Sequence, residues 1–522
     1  MDERAKGRRL AWSTAIFSAA TGLSRVLGLI REIVAANYFG ARGPINAFTV
    51  AFQIPNLVRA LVADAALSSA FVPVFSELLE KGEKARAWRV ASTVFWLFLL
   101  VVGGFTALFI LAAPILIPPL TGAYDDLAVT LSQILFPIVV LIGLFGIVTG
   151  ILNSYEQFTI PALTPVFWNL AIIIGLVIGV PRADTESGKL YVYAGSIVLG
   201  TVIQFLLPLP WLRGLDGRLR LALDIRDPAV KQVFKLMLPV MLGLGLINVN
   251  AVIGTFVASK LIDPELAPTA IDKAFRIYML PQGMFSVAVA TILYPTLARL
   301  SARGDLAGFR ATVSSGLRQI NFMLIPSAVT CAVLAEPIVR LLYQRGAFES
   351  GQTTVVAGAL AAFSLGLTFN GMMLMLNRGF FSLQAPWVPT LIALAVLVLN
   401  TALYAALYHV GTWGIPLAIS LANIAGVALL FVALRRRVGR LDLHAIARSF
   451  VLVSLAAAVL GVVSYSLWYV LDRALGRSFP AQLLSLGVAL TVGGAVYLAI
   501  CRALRVREMA ALLSLRDRFR RD

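Results

Sequence analysis

Histidine and cysteine are nearly absent from this sequence, and their scarcity excludes several kinds of site. The 522 residues include two histidines and two cysteines, which are His409, His444, Cys331 and Cys501. A zinc site or a histidine-based catalytic centre needs several such side chains close together, and a disulfide framework needs more cysteines. The sequence therefore predicts no metal site, no disulfide framework and no bound cofactor.

Charged residues are also scarce. They make up 13% of the chain, whereas hydrophobic residues make up 59%, and the mean hydropathy is +0.87. A soluble domain has about 25% charged and about 45–50% apolar residues. Apolar runs of about 20 residues or more, each long enough to cross a bilayer, recur along the chain. They predict an all-α integral membrane protein with about fourteen transmembrane helices, including spans at 12–38, 46–77 and 232–260.

Acidic residues are fewer than basic ones, 26 against 44, which gives a net charge of +18. Such an excess can indicate nucleic-acid binding, but in a membrane protein Lys and Arg collect in cytoplasmic loops. Here the loops between predicted spans alternate between basic and base-poor. The longest loop, around 213–231, is basic and is expected to lie at the headgroup surface. We therefore predict no nucleic-acid partner and both chain termini on the cytoplasmic side.

Short sequence echoes relate the second and eighth predicted spans. Ala51–Ile54 is echoed by Ala274–Ile277, and Phe71–Val74 by Leu293–Thr296, at a nearly constant offset. A repeat that begins six spans later keeps its orientation, which predicts two six-helix halves related by an axis along the membrane normal. Chance similarity between apolar helices is the alternative.

The repeat divides the chain into three predicted parts. Residues 1–213 form an N-terminal lobe and residues 214–440 a C-terminal lobe, as two six-helix lobes around a central cavity. Residues 441–522 add two helices and a basic cytoplasmic tail. No predicted loop is long enough to hold a soluble catalytic domain, so recognition is expected inside the helical bundle.

Four arginines lie within predicted spans, where each costs about 2.5–3.5 kcal/mol unless it faces water, protein or an anion. They are Arg25, Arg31, Arg59 and Arg276. The acidic residues near them are Glu32 and Asp64, so base is in surplus. Guanidinium groups bind phosphate oxygens through paired hydrogen bonds, and the surplus therefore indicates a site for a large anionic lipid. Snorkelling or internal salt bridges are the alternative, most of all for Arg276, which lies only a few residues into its span.

Prolines occur in the same predicted helices. Pro55 and Pro281 interrupt the backbone hydrogen-bond ladder in mid-span and allow bending. Bending favours a transporter that changes conformation, although membrane helices also tolerate proline for packing alone.

A long N-terminal block, Leu23–Glu32, resembles the first-helix signature of the MurJ/MviN family of lipid II flippases. Further matches to that family are Tyr38–Ala41, Ala47–Phe48, Ala51–Leu57 with Arg59, Ser69–Pro73, Leu280–Gly283, Thr291–Pro295 and Arg345–Phe348. The matches extend from the first predicted span to the start of the tenth.

The resemblance implies the MOP-exporter fold and a transporter rather than an enzyme. Members of the family carry lipid II, an undecaprenyl-pyrophosphate-linked disaccharide-pentapeptide, from the inner to the outer leaflet of the bacterial cytoplasmic membrane for peptidoglycan synthesis. Alternating access is the expected mechanism, and membrane lipids and cell-wall synthesis enzymes are further expected partners. The last two helices border a lipid groove in the family. Its essential cavity arginines fall on Arg25, Arg31, Arg59 and Arg276, and Ser24 and Glu32 match motif positions.

The sequence departs from the family pattern at two positions. Asn46 stands where many members have an aspartate, and Gly254 occupies a position that is often acidic. Both departures argue against a gate or a sodium site built on carboxylates, and they leave the energy source open between a membrane potential and an ion gradient. The expected supporting or gating positions are Glu32, Asn46, Asn56, Asp64, Pro55 and Pro281.

Three other functions remain open. An oligosaccharide-lipid flippase or a multidrug exporter would share the superfamily, but an exporter of cations should have cavity carboxylates instead of surplus arginines. A membrane-bound prenyl-phosphate enzyme would need clustered acidic metal ligands, and the loop pair Asp125-Asp126 has no supporting ligands nearby in the sequence. A scaffold that binds lipid II without moving it is the third alternative.

Overall fold

The computed structural model describes residues 3–62 and 65–509, and over these residues the chain consists of helices joined by turns and short irregular linkers. The helices are α1 (Glu3–Phe39), α2 (Ile45–Val62), α3 (Ala65–Glu80), α4 (Lys84–Leu116), α5 (Asp125–Leu135), α6 (Ile138–Ser154), α7 (Thr159–Ile174), α8 (Glu186–Leu206), α9 (Pro228–Val257), α10 (Ala267–Pro281), α11 (Val287–Ala302), α12 (Leu306–Val333), α13 (Ala335–Tyr343), α14 (Ser350–Ser382), α15 (Trp387–Leu407), α16 (Gly414–Val438), α17 (Leu443–Leu475) and α18 (Phe479–Ala503).

The described helices confirm the all-α membrane class. Ten helical segments are long and apolar enough to cross a membrane, and the pair α12 and α13, bent by 76°, makes an eleventh if it is one span. The predicted spans at 12–38, 46–77 and 232–260 coincide with α1, with α2 and α3, and with α9. The total of fourteen spans stays a prediction.

The chain forms two compact units, Met1–Pro268 and Thr269–Asp522. Helix α9 lies in the first unit, where it packs against α2 and α3. The predicted lobe boundary after residue 213 follows the count of spans rather than contacts, and it stays a prediction.

Aromatic and small residues build the core of the first unit around α3, α4, α5 and α6. The rings of Phe109 and Phe136 stack with centroids 3.7 Å apart. A Cβ on Gly143 would overlap the ring of Phe98, so glycine lets α6 approach α4 closely. Close approach matters because helices in lipid associate through van der Waals packing rather than through the hydrophobic effect. This core supports the neighbouring pairs α1 with α7 and α2 with α5.

In the second unit, close packing at a glycine and interhelical hydrogen bonds join the helices. A Cβ on Gly366 would overlap Ser420, whose hydroxyl donates to the carbonyl of Ala362 over 2.7 Å and joins α16 to α14. The phenol of Tyr497 donates to the carbonyl of Phe322 over 2.7 Å and ties α18 to α12. Helices α17 and α18, the two extra helices of the sequence prediction, therefore pack directly on the unit.

Within the first unit, the α1–α2 linker is clamped to the α9–α10 linker. The side-chain amide of Asn46, which is 1% exposed, donates to the carbonyl oxygens of Ala41 and Gly43 over 3.0 and 3.1 Å and to that of Glu265. The backbone N–H of Gly43 donates to the same Glu265 oxygen over 2.7 Å. Gly43 has a φ of 87°, which favours glycine. Asn46 is thus the centre of this linker clamp.

We expect Asn46→Leu to lower the stability of the folded chain by about 1–3 kcal/mol, because it leaves buried carbonyl oxygens without their donor. The measurement is thermal unfolding in detergent. Thr49→Val is the matched control, since the hydroxyl of this buried neighbour donates to the carbonyl of Ile45 in its own helix over 3.3 Å. Equal melting temperatures for Asn46→Leu and the unmodified protein would contradict the clamp.

Candidate functional site

Arg31 is the most constrained of the predicted arginines. Its side chain is 12% exposed, and its Nη2 donates to Oε1 of the buried Glu32 over 2.8 Å. The guanidinium carbon lies 4.7 Å from the ring centroid of Trp168 on α7, in cation–π geometry. The Nε of Arg31 is buried and has no hydrogen-bond partner among the described residues. The guanidinium therefore retains an unused donor.

Helix α7 fixes the indole on which Arg31 rests. The indole N–H of Trp168 donates to Oγ1 of Thr201 on α8 over 3.1 Å, and the Thr201 hydroxyl donates to the carbonyl of Ile197 over 2.8 Å. Thr201, which is itself hydrogen-bonded to Ile197, therefore orients the indole of Trp168. This support positions Arg31 within the membrane-spanning part of the unit.

Asn169 connects the same helix to Ser24. Its amide nitrogen lies 3.3 Å from the carbonyl oxygen of Ser24, 3.4 Å from its hydroxyl and 2.9 Å from the carbonyl of Pro165. Its Oδ1 is buried without a hydrogen-bond partner among the described residues. Ser24 and Arg31 are seven residues apart, two helical turns, so both face α7. The structure therefore brings together Ser24, Arg31, Glu32, Trp168 and Asn169.

Sequence reasoning did not single out Trp168, Asn169 or Thr201. The available signal was Asn169, an amide inside the otherwise apolar run of α7. Amides at such positions commonly join helices in membranes. The sequence alone could not indicate which helix this amide joins.

Arg59 is oriented by a neighbour on its own helix. Its Nε and Nη2 donate to the same Oδ1 of Asn56 over 3.2 and 2.8 Å. The amide oxygen of Asn56 therefore orients the guanidinium. Pro55 lies inside the same helix α2, and Asp64 lies outside the described residues. Asn56, one of the expected supporting positions, therefore contacts Arg59 directly.

Arg25 is exposed and forms no ion pair among the described residues, in contrast to Arg31 and Arg276. It lies six residues from Arg31 on α1, which places it about 120° away around the helix. The structure therefore separates Arg25 from the face that contacts α7 and leaves its guanidinium accessible.

Arg276 belongs to the second unit and has an acidic partner. Its Nε lies 2.8 Å from Oδ2 of Asp272, one turn earlier on α10. The side chains of Arg276 and Asp272 are 37% and 26% exposed. Pro281 ends α10 and is followed by a π-helical turn at Gln282–Ser286. The salt-bridge alternative thus holds for Arg276 in this state, although the pair remains accessible.

The chemistry of the first-unit residues suits an anion. One carboxylate, Glu32, stands beside Arg31, while Arg59 is held by an amide and Arg25 is exposed. Planar guanidinium groups bind phosphate oxygens through two parallel hydrogen bonds. The described residues contain no group of three or more His, Cys, Asp or Glu side chains that could hold a metal ion. The arrangement provides charge and donors rather than a nucleophile.

Comparison with known proteins gives a consistent result. The family model for lipid II flippase MurJ matches residues 35–490. Lipid II flippase MurJ of Burkholderia cenocepacia is 33% identical over 435 residues, which cover 80% of this chain and 83% of that protein. The probable lipid II flippase MurJ of Vibrio cholerae is 31% identical over 527 residues, covering 97% and 98% of the two chains.

Solved structures agree with this. A lipid II flippase MurJ in an inward closed conformation superposes with a TM-score of 0.77 at 27% identity, covering 94% of this chain and 99% of that one. An inward-facing multidrug resistance transporter of the MATE family has a TM-score of 0.68 at 16% identity, covering 82% and 98%. The second likeness shows a shared fold.

The family match over most of the chain, together with these relatives, confirms the resemblance seen in the N-terminal motif. The chain shares the fold of that MATE-family transporter of the MOP superfamily, and the protein is a multi-pass membrane transporter rather than an enzyme. The chain belongs to the MurJ family of lipid II flippases, which serve peptidoglycan synthesis.

Proposed function

We propose that this protein carries lipid II from the inner to the outer leaflet of the bacterial inner membrane, and that its membrane arginines bind the pyrophosphate. The observation that carries the proposal is the support of Arg31, which Trp168 and Glu32 hold in place at 4.7 and 2.8 Å. Arg25 and Arg59 add accessible or amide-oriented guanidinium groups in the same unit. Arg276, in the second unit, is likewise proposed as a phosphate-binding residue.

Glu32 has a specific part in this proposal. A buried guanidinium is costly without a partner, and Glu32 supplies one at 2.8 Å. When the pyrophosphate arrives, it takes over hydrogen bonds to Arg31, including the Nε that is otherwise unused. Exchange between a carboxylate and a phosphate keeps the arginine paired throughout the cycle. The same reasoning applies to Arg276 and Asp272.

Transport follows alternating access, with the prenyl tail remaining in the bilayer while the headgroup moves with the carrier. Both termini and the α8–α9 linker lie on the cytoplasmic side, as the distribution of base indicates. Each charge that crosses the membrane potential is worth about 2.3 kcal/mol per 100 mV. A membrane potential is therefore sufficient to bias the return of a cationic carrier, and enzymes of cell-wall synthesis supply and use the lipid.

Arg31→Ala and Arg25→Ala are each expected to abolish lipid II translocation while leaving membrane insertion intact, because each removes a phosphate-binding group. The measurement is a leaflet-accessibility assay for lipid II in cells depleted of their own flippase and supplied with the variant. Arg182→Ala, at an exposed arginine after α7, is the control and should behave as the unmodified protein. Normal translocation by both test variants would rule out the proposed site.

Substitutions at Trp168 separate the support of Arg31 from general packing. Trp168→Leu removes the ring and is expected to weaken lipid II binding up to about thirtyfold, since a desolvated cation–π contact is worth about 2 kcal/mol or less. Trp168→Phe keeps a ring beneath Arg31 and loses the bond to Thr201, so we expect about threefold or less. Binding is measured by titration of the purified carrier, with melting temperature recorded in parallel. Equal weakening by Phe and Leu would contradict the cation–π support.

A further inference from the structure

The α8–α9 linker, residues 213–227, contains a long irregular stretch between two membrane helices. Residues 217–224 form neither helix nor turn, so their backbone groups need partners elsewhere. The linker contains arginines and large apolar residues in close succession. Its contacts with α4 and its depth in the membrane indicate which kind of molecule it binds.

Side chains of α4 hold the linker in place. The indole N–H of Trp96 donates to the carbonyl of Arg220 over 2.9 Å. The N–H of Arg220 donates to the Ser92 hydroxyl over 3.1 Å, and the N–H of Asp224 donates to the Thr93 hydroxyl over 3.2 Å. The linker is therefore a fixed surface along α4.

Close packing supports the same placement. A Cβ on Gly217 would overlap the indole of Trp88, so the backbone lies directly against α4. Leu215 and Leu219 pack on the hydrophobic core of the first unit. The first part of the linker is thus anchored by its own side chains.

The acidic residues at the two ends of the linker are already paired with bases of α4. Asp216 lies 2.9 Å from Lys84, and Asp227 lies 3.0 Å from Arg86. The bond from Arg86 lowers the pKa of the Asp227 carboxyl below its ordinary value. Asp224 is the third acid of the linker, and the described residues show no ion pair between any of the three acids and a linker arginine. The exposed arginines are Arg213, Arg218, Arg220 and Arg226.

Apolar side chains are exposed beside these arginines. Leu221, Leu223 and Ile225 are 79%, 50% and 53% exposed. In water such a cluster would be unfavourable, at about 25 cal/mol for each Å² of apolar surface. Alternating arginine and leucine in one short segment is instead typical of a surface at the boundary between lipid headgroups and acyl chains.

The position of Trp96 along α4 puts the linker at that boundary. From Trp96 to the end of α4 at Leu116 is about twenty residues, which at 1.5 Å per residue spans about 30 Å, the thickness of the hydrocarbon layer. Exposed apolar residues fill this stretch, including Leu100, Leu108 and Leu111. Tryptophan favours the membrane interface. Trp96 therefore marks one edge of the hydrocarbon, and it binds the linker there.

We propose that the α8–α9 linker is a binding site for anionic phospholipids of the adjacent leaflet. In this site Arg218, Arg220 and Arg226 bind the lipid phosphates. The side chains of Leu221, Leu223 and Ile225 contact the parts of the acyl chains nearest the headgroups. The leaflet is cytoplasmic, and this assignment rests on the topology proposed above. The site is separate from the lipid II arginines, since none of its residues belongs to α1, α2 or α10.

The test uses the full-length protein reconstituted in phosphatidylcholine vesicles with and without an equal part of phosphatidylglycerol. Phosphatidylglycerol should raise the melting temperature of the unmodified protein, and native mass spectrometry should find retained phosphatidylglycerol. The combined variant Arg218→Gln, Arg220→Gln and Arg226→Gln should lose most of both effects. The control Arg435→Gln, Arg436→Gln and Arg437→Gln removes three exposed arginines at the end of α16 and should keep them. Equal responses of the two triple variants would overturn the site.

A fluorescent label tests the apolar half of the site. Cys331 and Cys501 are buried, so an environment-sensitive label reacts selectively at Leu223→Cys. Its emission should shift to the blue in vesicles and be quenched by lipid-borne quenchers. A label that stays in water would overturn the proposal and would indicate a surface for another protein.

Two further results separate this proposal from the proposed function. Labelling of Arg218→Cys by a membrane-impermeant reagent in sealed vesicles of known orientation reports which leaflet is involved. Labelling from the outer face would refute the topology but leave the lipid site standing. Arg31→Ala should keep its response to phosphatidylglycerol, and a lost response there would contradict the independence of the two sites.

Discussion

An arginine inside a membrane helix requires a partner at every stage, and most of the first unit's site follows from this requirement. Glu32 accepts from Arg31, Trp168 supports the guanidinium, and Thr201 orients Trp168. Three helices, α1, α7 and α8, are therefore held in register by one charge. Because an arginine in lipid without partners is costly, the helices that supply partners to Arg31 are stabilised in their positions around it.

The sequence predicted the charges and two of their supports, Glu32 and Asn56, and it missed the supports from other helices. Arg25, Arg31, Arg59 and Arg276 stood out because each is costly in a span, and that cost is visible in one dimension. Trp168 and Thr201 did not, since an indole or a threonine in an apolar helix is ordinary until its neighbour is known. Asn46 was recognised as a departure from the family, but its three carbonyl partners come from two linkers that only the fold brings together.

Hydropathy and charge indicated different helices. The spans at 84–116 and 443–475 were predictable from hydropathy, since they face lipid and contain few charges. Helices α1 and α2 contain Arg25, Arg31 and Arg59, and these charges rather than hydropathy indicated the site.

Asp227 links the α8–α9 linker to the mechanics of α9. Its carboxylate accepts from the N–H of Ala229 over 2.8 Å, which caps the first turn of α9, and it also binds Arg86 of α4. At the opposite end, Ser259 accepts from the N–H of Gly122 over 2.9 Å, and Glu265 is held by Asn46. Helix α9 is therefore held by hydrogen bonds at both ends. While these bonds remain, the helix can bend along its length but cannot rotate about one end.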